Sequence, residues 1–116
     1  MIRSALLAVT AFAIFTAHAP ASPARLGVGA TEFHLMLSRT SVKAGKVVLE
    51  LQNDGQDPHD LRLRRIGGTR TYAIPLTGPG SHKDVELKLL PGRYRLWCSV
   101  ANHAQLGMQA VLRVRR

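Results

Sequence analysis

Cysteine is nearly missing from this sequence: Cys98 stands alone among 116 residues. A lone cysteine excludes an internal disulfide, a C-x-x-C redox pair and any cysteine-rich zinc site. Aromatic residues make up only 5 %, so platforms on which nucleic-acid bases could stack are scarce. Acids are few as well, seven Asp and Glu against sixteen Lys and Arg, for a formal charge of +9. That excess draws the chain toward anionic surfaces but does not specify a fold. Internal repeats, a sustained helical period and an alternation of strands with helices are all absent, and the length leaves no room for a second domain. The longest apolar run, residues 5–17, is about 13 residues, short of the roughly 20 that a membrane-spanning helix needs.

That short run has the flanks of an export signal. Arg3 precedes it, and the small-x-small sites Ala17-His18-Ala19 and Ala19-Pro20-Ala21 follow it. Residues 1–24 therefore read as a signal peptide with a flexible lead-in, and residues 25–116 as one domain that is periplasmic or secreted. With only Arg3 in the leader, the mature part carries +8. Export places Cys98 in an oxidising compartment, where a free exposed thiol is a liability, so its sulfur is expected to be occupied. About 92 residues make a thin core, and a bound metal is a sensible supplement to it.

The mature part alternates with period two. Phe33, Leu35 and Leu37 oppose His34 and Met36; Val47, Leu49 and Leu51 oppose Val48 and Glu50; His59, Leu61 and Leu63 oppose Asp60, Arg62 and Arg64. Such alternation predicts half-buried strands and puts His59 on an inward face. Asn53-Asp54-Gly55 signals a turn, Gly and Pro punctuate residues 67–80 and leave at most a short strand over residues 70–74, and residues 84–90 alternate again. Pro91-Gly92 turns the chain into a strand with Tyr94, Leu96 and Cys98 inward, and a last strand carries Ala110, Leu112 and Val114 inward. Six or seven short strands with Gly and Pro turns predict an all-β, antiparallel Greek-key sandwich.

Chemistry concentrates in one connection. Cys98, His103 and Met108 are separated by four residues each, and His59 lies upstream at the inward end of a strand. A thiolate, two imidazoles and a weak thioether are the donors of a blue-copper centre. The nitrogens and thiolate suit copper(II) and the soft sulfurs suit copper(I), so the set changes little when one electron arrives. Taken singly, a buried cysteine is only a small hydrophobe and Met108 is core; the four together carry the reading. His34 and His82 read as solvated surface, and Trp97, opposite Cys98 by parity, as packing on an outer face.

The pattern Asn53-x-Gly55-x-x-x-His59, followed by Leu90-Pro91-Gly92-x-Tyr94-x-x-x-Cys98-x-x-x-x-His103-x-x-x-Gly107-Met108, resembles the small cupredoxins, the group of plastocyanin, azurin and rusticyanin. The four-and-four spacing of its ligand loop is most similar to that of rusticyanin. The resemblance spans about residues 31–114. It implies a Greek-key β-sandwich with one type 1 copper ion held by His59, Cys98, His103 and Met108, and a role in carrying single electrons between proteins. Where the family usually has Asn after the first His, this chain has Asp60. Its partner position is Ser99, whose hydroxyl or backbone N–H an aspartate can still accept from, and Arg62 or Arg64 can offset the added charge.

An exported one-electron carrier is thus the expected function. Copper storage, delivery or resistance by the same ligands is the alternative. An enzyme is not expected, because catalytic relatives add His-x-His copper sites and this chain has no His-x-His pair. The expected partner is a redox protein with an acidic docking surface, met near His103 beside Ala101, Ala104 and Leu106. Peripheral association with an anionic membrane, a monomeric state and no nucleic-acid partner complete the expectation.

Overall fold

The computed structural model describes residues 1–2, 5 and 7–116; Arg3, Ser4 and Leu6 lie outside the described residues, and with Arg3 the charge that opens the expected export signal. Residues 7–23 are exposed and carry no regular secondary structure, and among the described residues no helix is long and apolar enough to cross a membrane. Everything buried falls between Leu26 and Val114.

Among the described residues nine strands and one short helix follow: β1 (Ala24–Thr31), β2 (His34–Leu37), β3 (Ser41–Lys43), β4 (Gly45–Asn53), β5 (His59–Arg65), β6 (Thr71–Thr77), β7 (His82–Leu89), β8 (Gly92–Trp97), α1 (His103–Leu106) and β9 (Gln109–Arg115). They form two sheets in the orders β2-β1-β4-β7 and β3-β9-β8-β5-β6. Between the sheets pack Leu26 and Val28 of β1, Val47, Leu49 and Leu51 of β4, Leu61 and Leu63 of β5, and Leu96 and Leu112 of β8 and β9. These are the inward members of period-two runs, so burying them fixes the register of every strand that carries them.

The structure adds to the sequence expectation at several points. β1 occupies residues assigned to the lead-in and the start of the domain. Its outward positions are Arg25, Gly27 and Gly29, too weak in strand propensity to mark it. β1 and β4 pair in parallel, as do β3 and β9, so the sheets are mixed and not purely antiparallel. β6 reaches Thr77 through Pro75, which an edge strand tolerates because one side of its backbone needs no donors. His82, expected in a loop, begins β7 and is exposed there.

The turns before the ligand strands are closed by side chains. Tyr94 is buried, and its hydroxyl donates to the Leu90 carbonyl and accepts from the Leu90 N–H, tying the Pro91-Gly92 corner to β8. Burial pushes the Tyr94 phenol above its ordinary pKa. Asn53 is fully buried at the end of β4. Its amide nitrogen donates to the carbonyls of Asp57 and Thr77, both at 2.8 Å, and its oxygen accepts from the Gly55 N–H at 2.9 Å. Removing that amide leaves buried carbonyls unpaired, at about 1–3 kcal/mol each. Asn53→Ala is therefore expected to lower the stability of the metal-free protein by about 3 kcal/mol in urea unfolding; a change below about 1 kcal/mol would show that the turn is held by other means.

Candidate metal centre

Three elements meet at one end of the sandwich. The loop after β4 delivers His59 at the start of β5, β8 ends just before Cys98, and the connection from β8 to β9 contains α1 with His103 at its first position. In the β5–β6 pairing the register shifts between His59 and Leu61, and both His59 and Asp60 are buried there. The connection closes on itself: the Cys98 N–H donates to the Met108 carbonyl, and the Met108 N–H donates to the His103 carbonyl, each at 3.1 Å. Met108, fully buried, is thus tethered to both residues.

The donors of His59, Cys98 and His103 all lie within 4.8 Å of one another. Cys98 Sγ is 3.8 Å from His59 Nδ1 and 3.7 Å from His103 Nδ1. The imidazole rings meet edge to face, with centroids 5.1 Å apart, and Phe33 tilts over His103 at 5.2 Å. Two nitrogens and a sulfur converging on one buried point, with the thioether-bearing Met108 tethered beside them, suit one type 1 copper ion. Burial pushes the Cys98 thiol above its ordinary pKa, and the nearby Asp60 carboxylate adds to that rise against the backbone N–H groups of Val100 and Asp60. A coordinated metal reverses this balance, because a ligating thiol is deprotonated.

The far nitrogens of both imidazoles face carboxylates. His59 Nε2 is 3.0 Å from Glu32 Oε1, and His103 Nε2 is 3.5 Å from Asp57 Oδ2. An Nε2–H directed to Glu32 leaves the Nδ1 of His59 bare and aimed at the metal position, which fixes the tautomer this ligand needs. Glu32 also accepts from the N–H groups of Gln56 at 2.8 Å and Asp57 at 2.6 Å, so one carboxylate organises the loop that carries His59. Those two N–H groups, that of Asp57 foremost, hold its pKa down to about 2. Gly55 makes room for it: a Cβ there would lie 2.5 Å from Glu32 Oε1. Gly107, at φ 129°, likewise lets the Phe33 carbonyl approach, where a Cβ would lie 2.8 Å away. Sequence reasoning did not find Glu32, which meets His59 from 27 positions away and belongs to no motif.

Asp60 is tied as the sequence allows. Its carboxylate accepts from the Ser99 N–H at 2.6 Å and from the Ser99 hydroxyl, and Arg62 Nη2 stands 3.4 Å away as a counter-charge. The two ligand segments are thereby joined, with Arg62 and not Arg64 in the balancing role. Trp97 faces outward under the guanidinium of Arg95, 4.6 Å from its ring centroid. His34 is exposed. His82 is exposed too, and its donor lies with those of Glu50 and Asp84 within 4.8 Å on the outer face of the four-stranded sheet. His103, near which a partner is expected to dock, is only 6 % exposed, while Leu106 beside it is half exposed.

A two-sheet β-sandwich with a buried His–Cys–His group and an adjoining Met at one end defines a class: the fold is that of the cupredoxins, and the site is suited to one type 1 copper. The solved structures it is similar to share this fold. Auracyanin A, a blue copper protein from Chloroflexus aurantiacus, superimposes with a TM-score of 0.66 at 18 % identity, over 81 % of this chain and 100 % of that one. A purple cupredoxin from Nitrosopumilus maritimus gives a TM-score of 0.56 with 15 % identity, over 79 % of this chain and 99 % of that one. A copper-containing nitrite reductase from Thermus scotoductus gives 0.57 at 17 % identity over 81 % of this chain, but only 31 % of the enzyme is matched. No protein-family model and no curated protein sequence matches the chain.

Proposed function

We propose that this chain is an exported type 1 copper protein that carries single electrons between redox partners in the periplasm or outside the cell, in which His59, Cys98 and His103 would be the strong ligands and Met108 the weak one. The observation that carries this is the closed geometry: both Nδ1 atoms stand within 3.8 Å of a fully buried thiol, and their far nitrogens face carboxylates. A site held this firmly before metal arrives reorganises little when its charge changes. A catalytic role finds less support, since the sequence offers no His-x-His pair for a second copper site. The metal supplies a reversible one-electron couple; the chain's own residues position it, exclude water and set its preference between oxidation states.

The test is to add copper(II) to the metal-free protein and follow visible absorption, a redox titration and removal by a chelator. One intense sulfur-to-copper band, a reversible couple and slow loss of metal are expected. Fast exchange with a preference for copper(I) would favour the delivery or storage reading, which uses the same ligands. Met108→Gln is expected to retain copper and lower the reduction potential, because an amide oxygen favours copper(II) where a thioether favours copper(I). An unchanged potential, or a protein that no longer holds copper, would remove Met108 from the role of weak ligand.

A further inference from the structure

The acids of this protein are sorted by face, while its cations stand on both. Of its seven acids, Glu32, Asp54, Asp57 and Asp60 lie in or against the elements around the metal centre, and Glu50, Asp84 and Glu86 lie on outward positions of β4 and β7. The outer face of the five-stranded sheet presents Lys43, Arg62, Arg64, Arg93, Arg95, Arg113 and Arg115, and its one acid, Asp60, stands at the end nearest the metal centre.

Pairing brings these cations directly opposite one another: Arg64 with Arg95, Arg93 with Arg113, and Lys43 with Arg115. Like charges opposite each other on adjacent strands are destabilising. Strand spacing of about 4.8 Å and a two-residue repeat of about 6.7 Å make the array a closely spaced grid of positive charge. Among the described residues only Arg62 of this set has an ion-pair partner. Half-buried Trp97 and exposed Val111 and Ile66 sit among the arginines, so the face offers apolar area between its charges.

We propose that this face docks on the anionic phospholipid surface of a membrane. A planar array of anions satisfies the whole grid at once, and arginine stems, Trp97 and Val111 suit the zone where headgroups meet acyl chains. An acidic protein drawn by the same charges is held at a distance from the metal. Arg93 is five residues of extended strand from Cys98, about 17 Å, and the loops around the centre carry acids of their own. With the sheet lying on a bilayer, the metal end points along the membrane plane, open to a partner standing in the same membrane. The proposal does not rest on copper, and its test uses the metal-free protein.

The experiment is co-sedimentation of residues 22–116, which contain every strand and every buried residue, with vesicles of mixed phosphatidylglycerol and phosphatidylcholine and with phosphatidylcholine alone. Binding to the mixed vesicles only, abolished by high salt, is expected. Each basic residue near such a surface contributes about 1 kcal/mol, so Arg93→Gln with Arg113→Gln should weaken partitioning about 30-fold. Lys46→Gln with Lys88→Gln removes the same charge from the other sheet and should change it less than about threefold. Equal losses in the two double variants would show that net charge alone acts. Equal binding to neutral vesicles would also overturn the proposal. So would an absence of vesicle binding in a protein whose association with an acidic protein is weakened by the arginine pair, which would assign the face to a protein partner.

Discussion

Cys98→Ala is expected to fold and to stay colourless when copper(II) is added. The visible band of such a centre is transfer of charge from a thiolate to the metal, and Cys98 is the only source of a thiolate in the chain. The imidazoles of His59 and His103 remain in the variant, so weak copper(II) binding can persist without the intense colour. Replacing a fully buried thiol by a methyl group removes one sulfur from the end of the core, a change of about 1–2 kcal/mol that leaves the sandwich intact. Circular dichroism of the variant should therefore match the parent while the visible spectrum is lost. A Cys98→Ala protein that turns blue or purple would place the copper elsewhere.

Copper should raise the melting temperature of the parent by about 15–30 °C at a thousandfold excess over its dissociation constant. Binding to the folded state alone contributes about 4 kcal/mol at that excess. A domain of this size shifts by about 4–8 °C per kcal/mol. The increment has a structural origin, because the ion joins the start of β5 to the connection between β8 and β9, and Glu32 extends that junction to the end of β1. Calorimetry with and without a chelator measures it. Identical melts at saturating copper would mean that the metal does not bridge these segments.

Much of this was open to reading in the sequence, and the parts that were not have physical reasons. Strands β4, β5, β7, β8 and β9 carry large apolar residues at every second position, so their faces follow from the alternation itself. β1 was hidden by glycines on its outer face and by its nearness to the expected leader, and β3, with three residues, is too short to show a period. His59, Cys98 and His103 were legible because their donor chemistry is rare and their spacing specific. Glu32 was not, since a carboxylate that acts by folding back onto a distant loop leaves no local pattern. The parallel pairings were likewise silent, because alternation tells which face a residue takes and not which way its neighbour runs.

The parallel pairing of β3 with β9 has a kinetic consequence. Ser41 sits opposite Arg113, so an early part of the chain gains its partner only when the final strand has docked. Contacts so far apart in sequence close large loops before they return any stabilisation, which puts folding in the millisecond-to-second range of sandwiches and barrels. Cys98, His103 and Met108 lie immediately before that final strand, while His59 waits on β5. Convergence of the ligands late in folding, after most of the barrier has been crossed, is the expected order. Copper bound at this site lengthens the lifetime of the folded protein by slowing its unfolding, and leaves the rate at which the chain first finds its fold nearly unchanged.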